Sequence, residues 1–288
     1  MRSETIVAWL PVMLLPIIAW WMTPEDWPRW AFMWLFAFAI FVGCKWLTWW
    51  TAATQGVSIG RQLGYLFAWP GFDVDAFFHA SNSRVPSLHL WVFGVAKLGL
   101  GLVLIAAVYP RLPKDAEMLR GWVGMLGIVF VLHFGVFHLV SLAWQAVGVT
   151  AKPIMDWPVL ATSVSDFWGK RWNSAFRDLT HRFLFRPLTA RFGAKAALAI
   201  GFLASGIVHD LVISLPAGDG YGGPTVFFLL QAGALFAERS ALGKRLGLGH
   251  GLRGWAFTLI VLLGPVFLLF HPPFLRLVVL PFLDWALG

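Results

Sequence analysis

A series of apolar runs, each close to the length of a membrane-crossing helix, constrains the fold of this chain more than any other feature. A helix needs roughly 20 apolar residues to cross the hydrocarbon core of a bilayer, and runs of that length favour helices over a barrel of alternating strands. Hydrophobic residues make up 59% of the chain and charged residues 12%. This composition leaves too little polar surface to cover a soluble globule. We therefore predict an all-α fold, a helical bundle embedded in the membrane.

Proline, glycine and charged residues divide these runs into about seven or eight predicted transmembrane helices. The first run, Ile6 to Met22, follows Arg2 as a signal peptide would, but no small-residue cleavage site ends it. We expect it to stay attached as the first span, within a single membrane-embedded domain over residues 1–288. The predicted spans lie near residues 6–22, 30–50, 88–109, 121–147, 195–215, 224–239 and 255–271, with a shorter run at 274–287.

The distribution of basic residues predicts the orientation of the bundle. The net charge is +8, and in membrane proteins lysine and arginine collect in cytoplasmic loops. The linkers after the second, fourth and sixth runs hold most of them, including Arg61 and Arg84, the cluster in 152–195, and Arg253. The linker around Arg111 runs against this pattern. We predict an outside N-terminus and cytoplasmic basic loops, and we interpret the charge as a sign of membrane lipids or an anionic substrate rather than of nucleic acid.

The favoured interpretation of the cysteine and histidine residues is that they bind neither a metal ion nor a cofactor. The one cysteine, Cys44, lies inside an apolar run, so it forms no disulfide, CxxC motif or cysteine zinc site. His133 and His138 share the fourth run but point about 140° apart on a helix, so they would not bind one ion together. An interhelix hydrogen bond or separate haem ligation stays open for them. Glu238 stands beside Arg239, and we predict an ion pair at the membrane interface.

The segment DFWGKRWNSAFRDLTHRFLFRPL, Asp166 to Leu188, concentrates basic and aromatic residues in this apolar chain. Wound as a helix, it places an apolar stripe opposite a charged side, which is typical of a helix lying in the cytoplasmic membrane interface. Asn173 falls between the two sides, where it is a candidate to direct a hydrogen bond inward. The stripe contains Trp168, Trp172, Phe176, Leu179 and Phe183, and the charged side contains Lys170, Arg171, Arg177, Asp178, His181 and Arg182.

The fifth run places two ionisable residues, His209 and Asp210, inside an apolar helix. Such groups cost several kcal/mol within a bilayer, and they face the protein interior or a wet cavity and mark functional sites. If the span starts near Lys195, His209 lies about 21 Å along it, well within the hydrocarbon core. The small residues Ala204 to Gly206 leave room beside it. The alternative is a histidine that donates to a neighbouring carbonyl for packing alone.

The motif Asp166-Phe-Trp-Gly-Lys-Arg-Trp-Asn173, followed downstream by Ser205-Gly206 and His209-Asp210, resembles the membrane-bound O-acyltransferase superfamily, and specifically its wax synthase-like branch. The segment Trp69-Pro70-Gly71-Phe72-Asp73 is similar to a region upstream in that family. The resemblance covers about residues 69–239. The chain departs from the family pattern in having Asp210 where glutamate is usual, and in being short.

The resemblance implies transfer of an acyl group from acyl-coenzyme A, as co-substrate, to the hydroxyl of an alcohol or lipid acceptor. It assigns catalysis to His209 and Asn173. A neutral imidazole is suited to take the hydroxyl proton at cell pH, and an amide N–H is suited to stabilise the thioester oxyanion. Lipid phosphates would satisfy the basic residues as well as coenzyme A would, so both uses stay open. The predicted acyl-CoA contacts are Trp168, Lys170, Arg171, Trp172, Arg177 and Asp210.

Three other interpretations stay open at this point. The same machinery would serve O-acetylation of a glycan or a small hydroxylated metabolite. A proton-coupled transporter would use His209 and Asp210 as a proton relay, although the paired halves typical of transporters are not visible. A haem or quinone protein would use His133, His138 or His209.

Overall fold

The computed structural model of the chain describes residues 2–79 and 85–288, with side chains for residues 6–79 and 85–288. Arg84, which entered the predicted orientation, lies outside the described residues. Every regular element in the described part is helical, so the all-α prediction is confirmed. Five helical stretches are long and apolar enough to cross a membrane, namely Arg29–Trp50, Leu88–Arg111, Glu117–Ala146, Ser174–Ala217 and Gly251–Leu269.

These five stretches contain or overlap five of the predicted spans. The first predicted span is a shorter apolar helix, Ile6–Met22. The span predicted at 224–239 is a helix of 17 residues, Gly223–Arg239. The C-terminal run is helical from residue 272 to residue 287, with a π-helical stretch in its middle. By length and composition, five candidate spans are therefore present among the described residues.

Most α-helical segments are joined by short connections or by wide, π-helical turns, and the connection between residues 146 and 164 is longer. In chain order they are α1 (Arg2–Met22), α2 (Arg29–Trp50), α3 (Ile59–Ala68), α4 (Val74–His79), α5 (Leu88–Val103), α6 (Glu117–Val129), α7 (Phe137–Ala146), α8 (Val164–Asp166), α9 (Ser174–Thr180), α10 (Arg186–His209), α11 (Leu215–Ala217), α12 (Gly223–Arg239), α13 (Ala241–Leu246), α14 (Gly251–Leu263), α15 (Val266–Leu269), α16 (Pro272–Phe274) and α17 (Leu280–Leu287).

The chain divides into two compact units, and the first comprises Met1–Ile154 and Val279–Gly288. Its helices approach closely at glycines, as is common in membrane bundles. A Cβ atom at Gly43 in α2 would lie 2.7 Å from the Cα atom of Val12 in α1. A Cβ atom at Gly101 in α5 would lie 2.7 Å from the backbone nitrogen of Val131. The absence of side chains at these glycines therefore sets the helix spacing.

An interhelical hydrogen bond crosses this first unit at His138. The Nδ1 atom of His138 in α7 lies 3.0 Å from the ammonium of Lys97 in α5. The same ammonium stands 4.4 Å from the ring centre of Phe93. This contact is the interhelix hydrogen bond that was one of the two interpretations of His138.

The second unit comprises Met155–Val278 and contains the motif segment. Its core includes Val164 of α8 and two buried residues of α12, Ala234 and Leu235, with Trp168 packed against them. Helices α10 and α12 touch at Gly206, where a Cβ atom would lie 2.5 Å from the Cα atom of Thr225.

The predicted continuous amphipathic helix from Asp166 to Leu188 is wrong, because the chain breaks in its middle. A wide turn, Phe167–Arg171, is followed by Trp172 in extended conformation (φ −104°, ψ 126°). Asn173 then adopts the left-handed conformation (φ 44°, ψ 62°) and α9 begins at the next residue. Asparagine tolerates this conformation because its side chain bonds the nearby backbone. The helix phase is therefore lost at Trp172, and the predicted stripe does not continue across the break.

A second break separates the basic part of the following helix from its apolar part. Gly193 inside α10 has φ 80° and ψ 162°, a conformation far from helical. Residues with a side chain are excluded from this region, so glycine is required there. The apolar part of α10 that leads to His209 therefore starts after Gly193.

Candidate active site

His209 ends α10 and is half-buried. Its Nδ1 atom lies 2.7 Å from the carbonyl oxygen of Ser205, one turn earlier in the same helix. A carbonyl only accepts hydrogen bonds, so Nδ1 carries the proton and Nε2 of the neutral ring keeps a free lone pair. The bond to a carbonyl, which was the packing alternative, thus also selects the tautomer in which Nε2 can act as a base.

Aromatic rings from several segments surround His209. The Phe228 ring of α12 lies 4.5 Å from the imidazole, measured between ring centres. The Phe176 ring of α9 stands edge-on at 6.3 Å. Trp168 in turn packs against Phe228 at 5.4 Å and Phe202 at 5.9 Å. These contacts form an apolar wall that limits how the imidazole can turn.

Asn173 occupies the cap position before α9. Its Oδ1 atom accepts a hydrogen bond from the backbone N–H of Phe176 at 3.1 Å, and its own N–H lies 3.2 Å from the sulfur of Met155. The cap uses only the oxygen of the side chain. Among the described residues no acceptor bonds the two N–H groups at Nδ2, so they can donate to a substrate. Because Phe176 also touches His209, Asn173 and His209 are linked through one aromatic residue.

Asp210 is bound on both carboxylate oxygens by its own chain. Oδ1 accepts from the Ser214 hydroxyl at 2.8 Å and from the N–H of Gly222 at 2.8 Å. Oδ2 accepts from the N–H of Thr225 at 3.0 Å and from the hydroxyl of the same residue. A carboxylate has about four acceptor positions, so these four donors fill it. Asp210 holds the start of α12, and its contact with acyl-CoA stays a prediction.

Ser214 and His271 extend this network, and sequence reasoning missed both. The Ser214 hydroxyl lies 3.1 Å from Nε2 of His271, and Nδ1 of His271 accepts from the N–H of Phe274 at 3.2 Å. Both residues are buried, at 0% and 5% exposure. Burial lowers the pKa of His271 below its ordinary 6.5, while the carboxylates of Asp219 and Asp210 act in the opposite direction. The available signal was a polar residue at the edge of each of two apolar runs.

The predicted basic contacts with acyl-CoA divide into paired and exposed residues. Arg171 forms an ion pair with Asp166 at 2.5 Å, and Arg177 forms one with Asp178 at 2.5 Å. Both arginines also donate to backbone carbonyls of the surrounding segment. Lys170 is exposed. The two arginines thus stabilise the conformation of the motif segment. The exposed ammonium of Lys170 is accessible to an anion.

The two tryptophans of the motif have different surroundings. Trp172 stacks on Phe167, with ring centres 5.6 Å apart and planes 12° apart. The Nε1 atom of Trp168 is buried and has no hydrogen-bond partner among the described residues. Since a buried donor without a partner is costly, this N–H is a candidate to meet a substrate oxygen. The predicted acyl-CoA contacts of both tryptophans stay predictions.

Glu238 is a further anchor of the motif segment that sequence reasoning missed. It is 6% exposed, and its Oε2 atom accepts from the N–H groups of Val164 at 2.6 Å and Ser165 at 3.4 Å. Arg239 donates instead to the Ser165 hydroxyl at 3.1 Å. The predicted ion pair between Glu238 and Arg239 is therefore wrong, because the carboxylate caps the first turn of α8.

The segment that carries these residues matches a known protein family. Residues 151–230 match the Membrane bound O-acyl transferase family. A long-chain-alcohol O-fatty-acyltransferase of Simmondsia chinensis is 30% identical over 101 residues, which cover 30% of this chain and 29% of that protein. A probable long-chain-alcohol O-fatty-acyltransferase 3 of Arabidopsis thaliana is 32% identical over 171 residues, covering 54% of this chain and 47% of that protein.

An acyl-CoA–sterol O-acyltransferase 1 of Arabidopsis thaliana is 30% identical over 118 residues, covering 38% of this chain and 34% of that protein. The alignments span less than half the length of each of these relatives. The family match includes Asn173, His209 and Asp210, and the five long apolar helices make the chain an integral membrane protein. These findings show that part of this chain is similar to the Membrane bound O-acyl transferase family and to proteins named as long-chain-alcohol and sterol O-acyltransferases.

Proposed function

We propose that this chain transfers an acyl group from acyl-coenzyme A to the hydroxyl of an alcohol or lipid acceptor, forming an ester. The observation that carries the proposal is the tautomer of His209, which leaves Nε2 free to accept a proton. An alcohol is a weak nucleophile until a base takes its proton. Two relatives named for fatty-alcohol and sterol acyl transfer support the donor and the acceptor class.

The reaction follows from the two catalytic candidates. The acceptor oxygen bonds to the thioester carbonyl carbon while Nε2 of His209 takes the hydroxyl proton. The carbonyl oxygen becomes an oxyanion, and the Nδ2 donors of Asn173 stabilise it. The carbon–sulfur bond then breaks, and the coenzyme A thiolate takes the proton from the imidazolium. Ester and free coenzyme A leave, and no covalent enzyme intermediate is needed.

For acyl-CoA binding we assign phosphate contact to Lys170, because its ammonium is exposed, and an acyl or thioester contact to the N–H of Trp168. Lipid phosphates are the competing ligand for Lys170. Trp172, Arg171 and Arg177 contribute in this proposal by shaping the segment that Asn173 ends. Asp210 contributes by holding α12.

For the architecture we infer a single membrane-embedded domain with seven or eight spans. The spans beyond the five long helices would be α1, α12 and the C-terminal run. The N-terminus lies outside, and the basic loops are cytoplasmic in this proposal. The helical segment between Asn173 and Gly193 lies in the cytoplasmic interface, and the exposed Arg186, Arg191 and Phe192 support that placement.

The transporter interpretation requires Asp210 to receive a proton from His209. The carboxylate of Asp210 already accepts four hydrogen bonds from Ser214, Gly222 and Thr225. A proton on either oxygen would displace one of these donors, so the geometry favours the transferase. O-acetylation of a glycan or small metabolite uses the same residues and differs only in donor length and acceptor.

The test incubates membranes containing wild type or His209→Ala with labelled acetyl-CoA or palmitoyl-CoA. The acceptor panel contains long-chain alcohols, a sterol and a monosaccharide, and labelled ester is measured. We expect palmitoyl ester of an alcohol or sterol from wild type and none above background from His209→Ala. Acetyl ester of the sugar would favour the acetylation alternative. Folded wild type that makes no ester with any pair would contradict the proposal.

A further inference from the structure

Three polar side chains form a hydrogen-bonded series that begins next to His209, namely the partly buried Asp210 and the buried Ser214 and His271. We propose that Ser214 and His271 are positioning residues for His209, acting through Asp210. This inference rests on the proposed acyl transfer and adds residues to the same site. His271 lies outside the segment 151–230 that matches the family.

The donors and acceptors of this series match in one protonation state. The Asp210 carboxylate only accepts, so Ser214 donates its single proton to it at 2.8 Å. The Ser214 oxygen then accepts from Nε2 of His271 at 3.1 Å. On the other side of the ring, Nδ1 accepts from the N–H of Phe274 at 3.2 Å. Neutral His271 with its proton on Nε2 satisfies the bonds to Ser214 and Phe274. The Gly220 carbonyl, 3.3 Å from the Ser214 oxygen, is a weaker second acceptor for the serine proton than the carboxylate at 2.8 Å.

The His271 ring is held in this orientation by a glycine. A Cβ atom at Gly220 would lie 2.5 Å from both Nδ1 and Cε1 of His271. Gly220 also has φ +73°, which glycine adopts without strain. The imidazole therefore packs directly on backbone, and no side chain separates it from the turn that precedes α12.

The series reaches His209 through α12. The second oxygen of Asp210 binds the N–H of Thr225 at 3.0 Å. One turn further along α12, Phe228 contacts the His209 ring at 4.5 Å. The Asp210 carboxylate therefore determines the position of Phe228. Ser214 and His271 in turn determine the position of the carboxylate. Because a displacement of about 1 Å can cost a hundredfold in rate, the direction of the free nitrogen of His209 depends on this series.

The test compares His271→Leu, His271→Gln and the control His250→Leu in purified protein, after the folded fraction of each has been measured. Leucine removes both hydrogen bonds, whereas the glutamine amide can donate to Ser214 and accept from Phe274. His250 is exposed, and its side chain makes no cap hydrogen bond. We expect His271→Leu to lower kcat about tenfold to a hundredfold with KM values within about twofold. His271→Gln should regain most of the loss.

A second measurement does not depend on activity. The chain has 8 histidines, and ring-nitrogen NMR of ¹⁵N-histidine protein, assigned with His209→Gln and His271→Gln, reports the protonated nitrogen of each. Wild type should show the proton on Nδ1 of His209 and on Nε2 of His271. His271→Leu should shift the His209 signals, and His250→Leu should not.

The outcomes separate the positioning role from the proposed function. A kcat for folded His271→Leu within twofold of wild type, or unchanged His209 signals in that variant, overturns the positioning role. A KM increase without a kcat decrease also overturns it. Inactive wild type with the expected NMR shifts overturns the acyl transfer and retains the structural coupling of His271 to His209.

Discussion

His209 and His138 both lie inside apolar helices, one in each unit, and they use their ring nitrogens in opposite ways. Nδ1 of His209 donates to the carbonyl of Ser205, so Nε2 is an acceptor. Nδ1 of His138 lies 3.0 Å from the ammonium of Lys97. A charged lysine can only donate, so this Nδ1 accepts and the proton of neutral His138 is on Nε2. That Nε2 atom is buried and has no hydrogen-bond partner in the described part of the chain.

The comparison teaches that depth in an apolar helix does not make a histidine a base. The group that meets Nδ1 decides which proton state the ring presents. A carbonyl beside His209 produces an acceptor, and an ammonium beside His138 produces a donor. The carboxylate that follows His209 is fully engaged by Ser214 and its other donors, so it leaves the base function to the imidazole.

The largest expected difference is between His209→Gln and His138→Gln. Loss of a general base lowers rates about 10²–10⁴-fold, so His209→Gln should lose at least a hundredfold in ester formation. His138→Gln should stay within about threefold, because glutamine can still bond Lys97. Initial rates with palmitoyl-CoA, normalised to folded protein, measure both. Equal losses would break the comparison.

Asn173→Asp separates the cap from the chemistry. A carboxylate still accepts from the N–H of Phe176, so α9 should keep its cap, but the Nδ2 donors are lost. Removal of one oxyanion donor typically costs about 10²–10³-fold in kcat, and we expect a loss in that range. Thermal unfolding in detergent should stay close to wild type. Activity close to wild type would remove Asn173 from the oxyanion role.

Stability should differ between the charged neighbours of the two histidines. Asp210→Ala leaves several donors without an acceptor, including Ser214 and Thr225, and each lost bond to a charged group costs about 1.5–3 kcal/mol. We expect a decrease of about 3 kcal/mol or more in the free energy of unfolding. Lys97→Met removes one such bond, to Nδ1 of His138, and should cost less, about 1.5–3 kcal/mol. Chemical unfolding in detergent measures both, and a larger loss from Lys97→Met would reverse the comparison.

The smallest effect concerns two tryptophans with unpartnered indole N–H groups, Trp168 and Trp34. Changing either to phenylalanine breaks no hydrogen bond within the described residues, so unfolding temperatures should stay close to wild type. If Trp168 donates to the acyl donor, Trp168→Phe should raise KM for acyl-CoA about threefold to tenfold, as one hydrogen bond is worth about 0.5–1.5 kcal/mol. Trp34→Phe is the matched control. An unchanged KM in both would exclude the Trp168 contact.

The sequence predicted those features that depend on length, hydropathy or a single unusual residue. The five long helices follow from apolar runs, and His209 stood out because it is ionisable within one of them. The break at Asn173 could not be predicted, because the helical periodicity of about 100° per residue assumes that every residue is in the right-handed helical conformation. Asparagine permits that conformation without requiring it.

The supporting contacts were beyond sequence reasoning because they join distant residues. Ser214 and His271 are 57 positions apart, and Glu238 is 74 positions from Val164. Neither pair has a local pattern, since each depends on how the helices pack. For Glu238 the adjacent Arg239 suggested an ion pair, but buried backbone N–H groups were the partners that needed an acceptor.

The hydrogen bond between His209 and Ser205 has a consequence for protein design. Donor and acceptor lie within one turn of one helix, so the tautomer of His209 depends only on that turn. A short graft covering that turn would carry the tautomer into another membrane bundle. The graft would not reproduce the orientation of the free nitrogen, because Thr225 and Phe228 belong to another helix. A grafted histidine would therefore be able to accept a proton, and the residues of the host protein would have to orient its Nε2 atom toward the substrate.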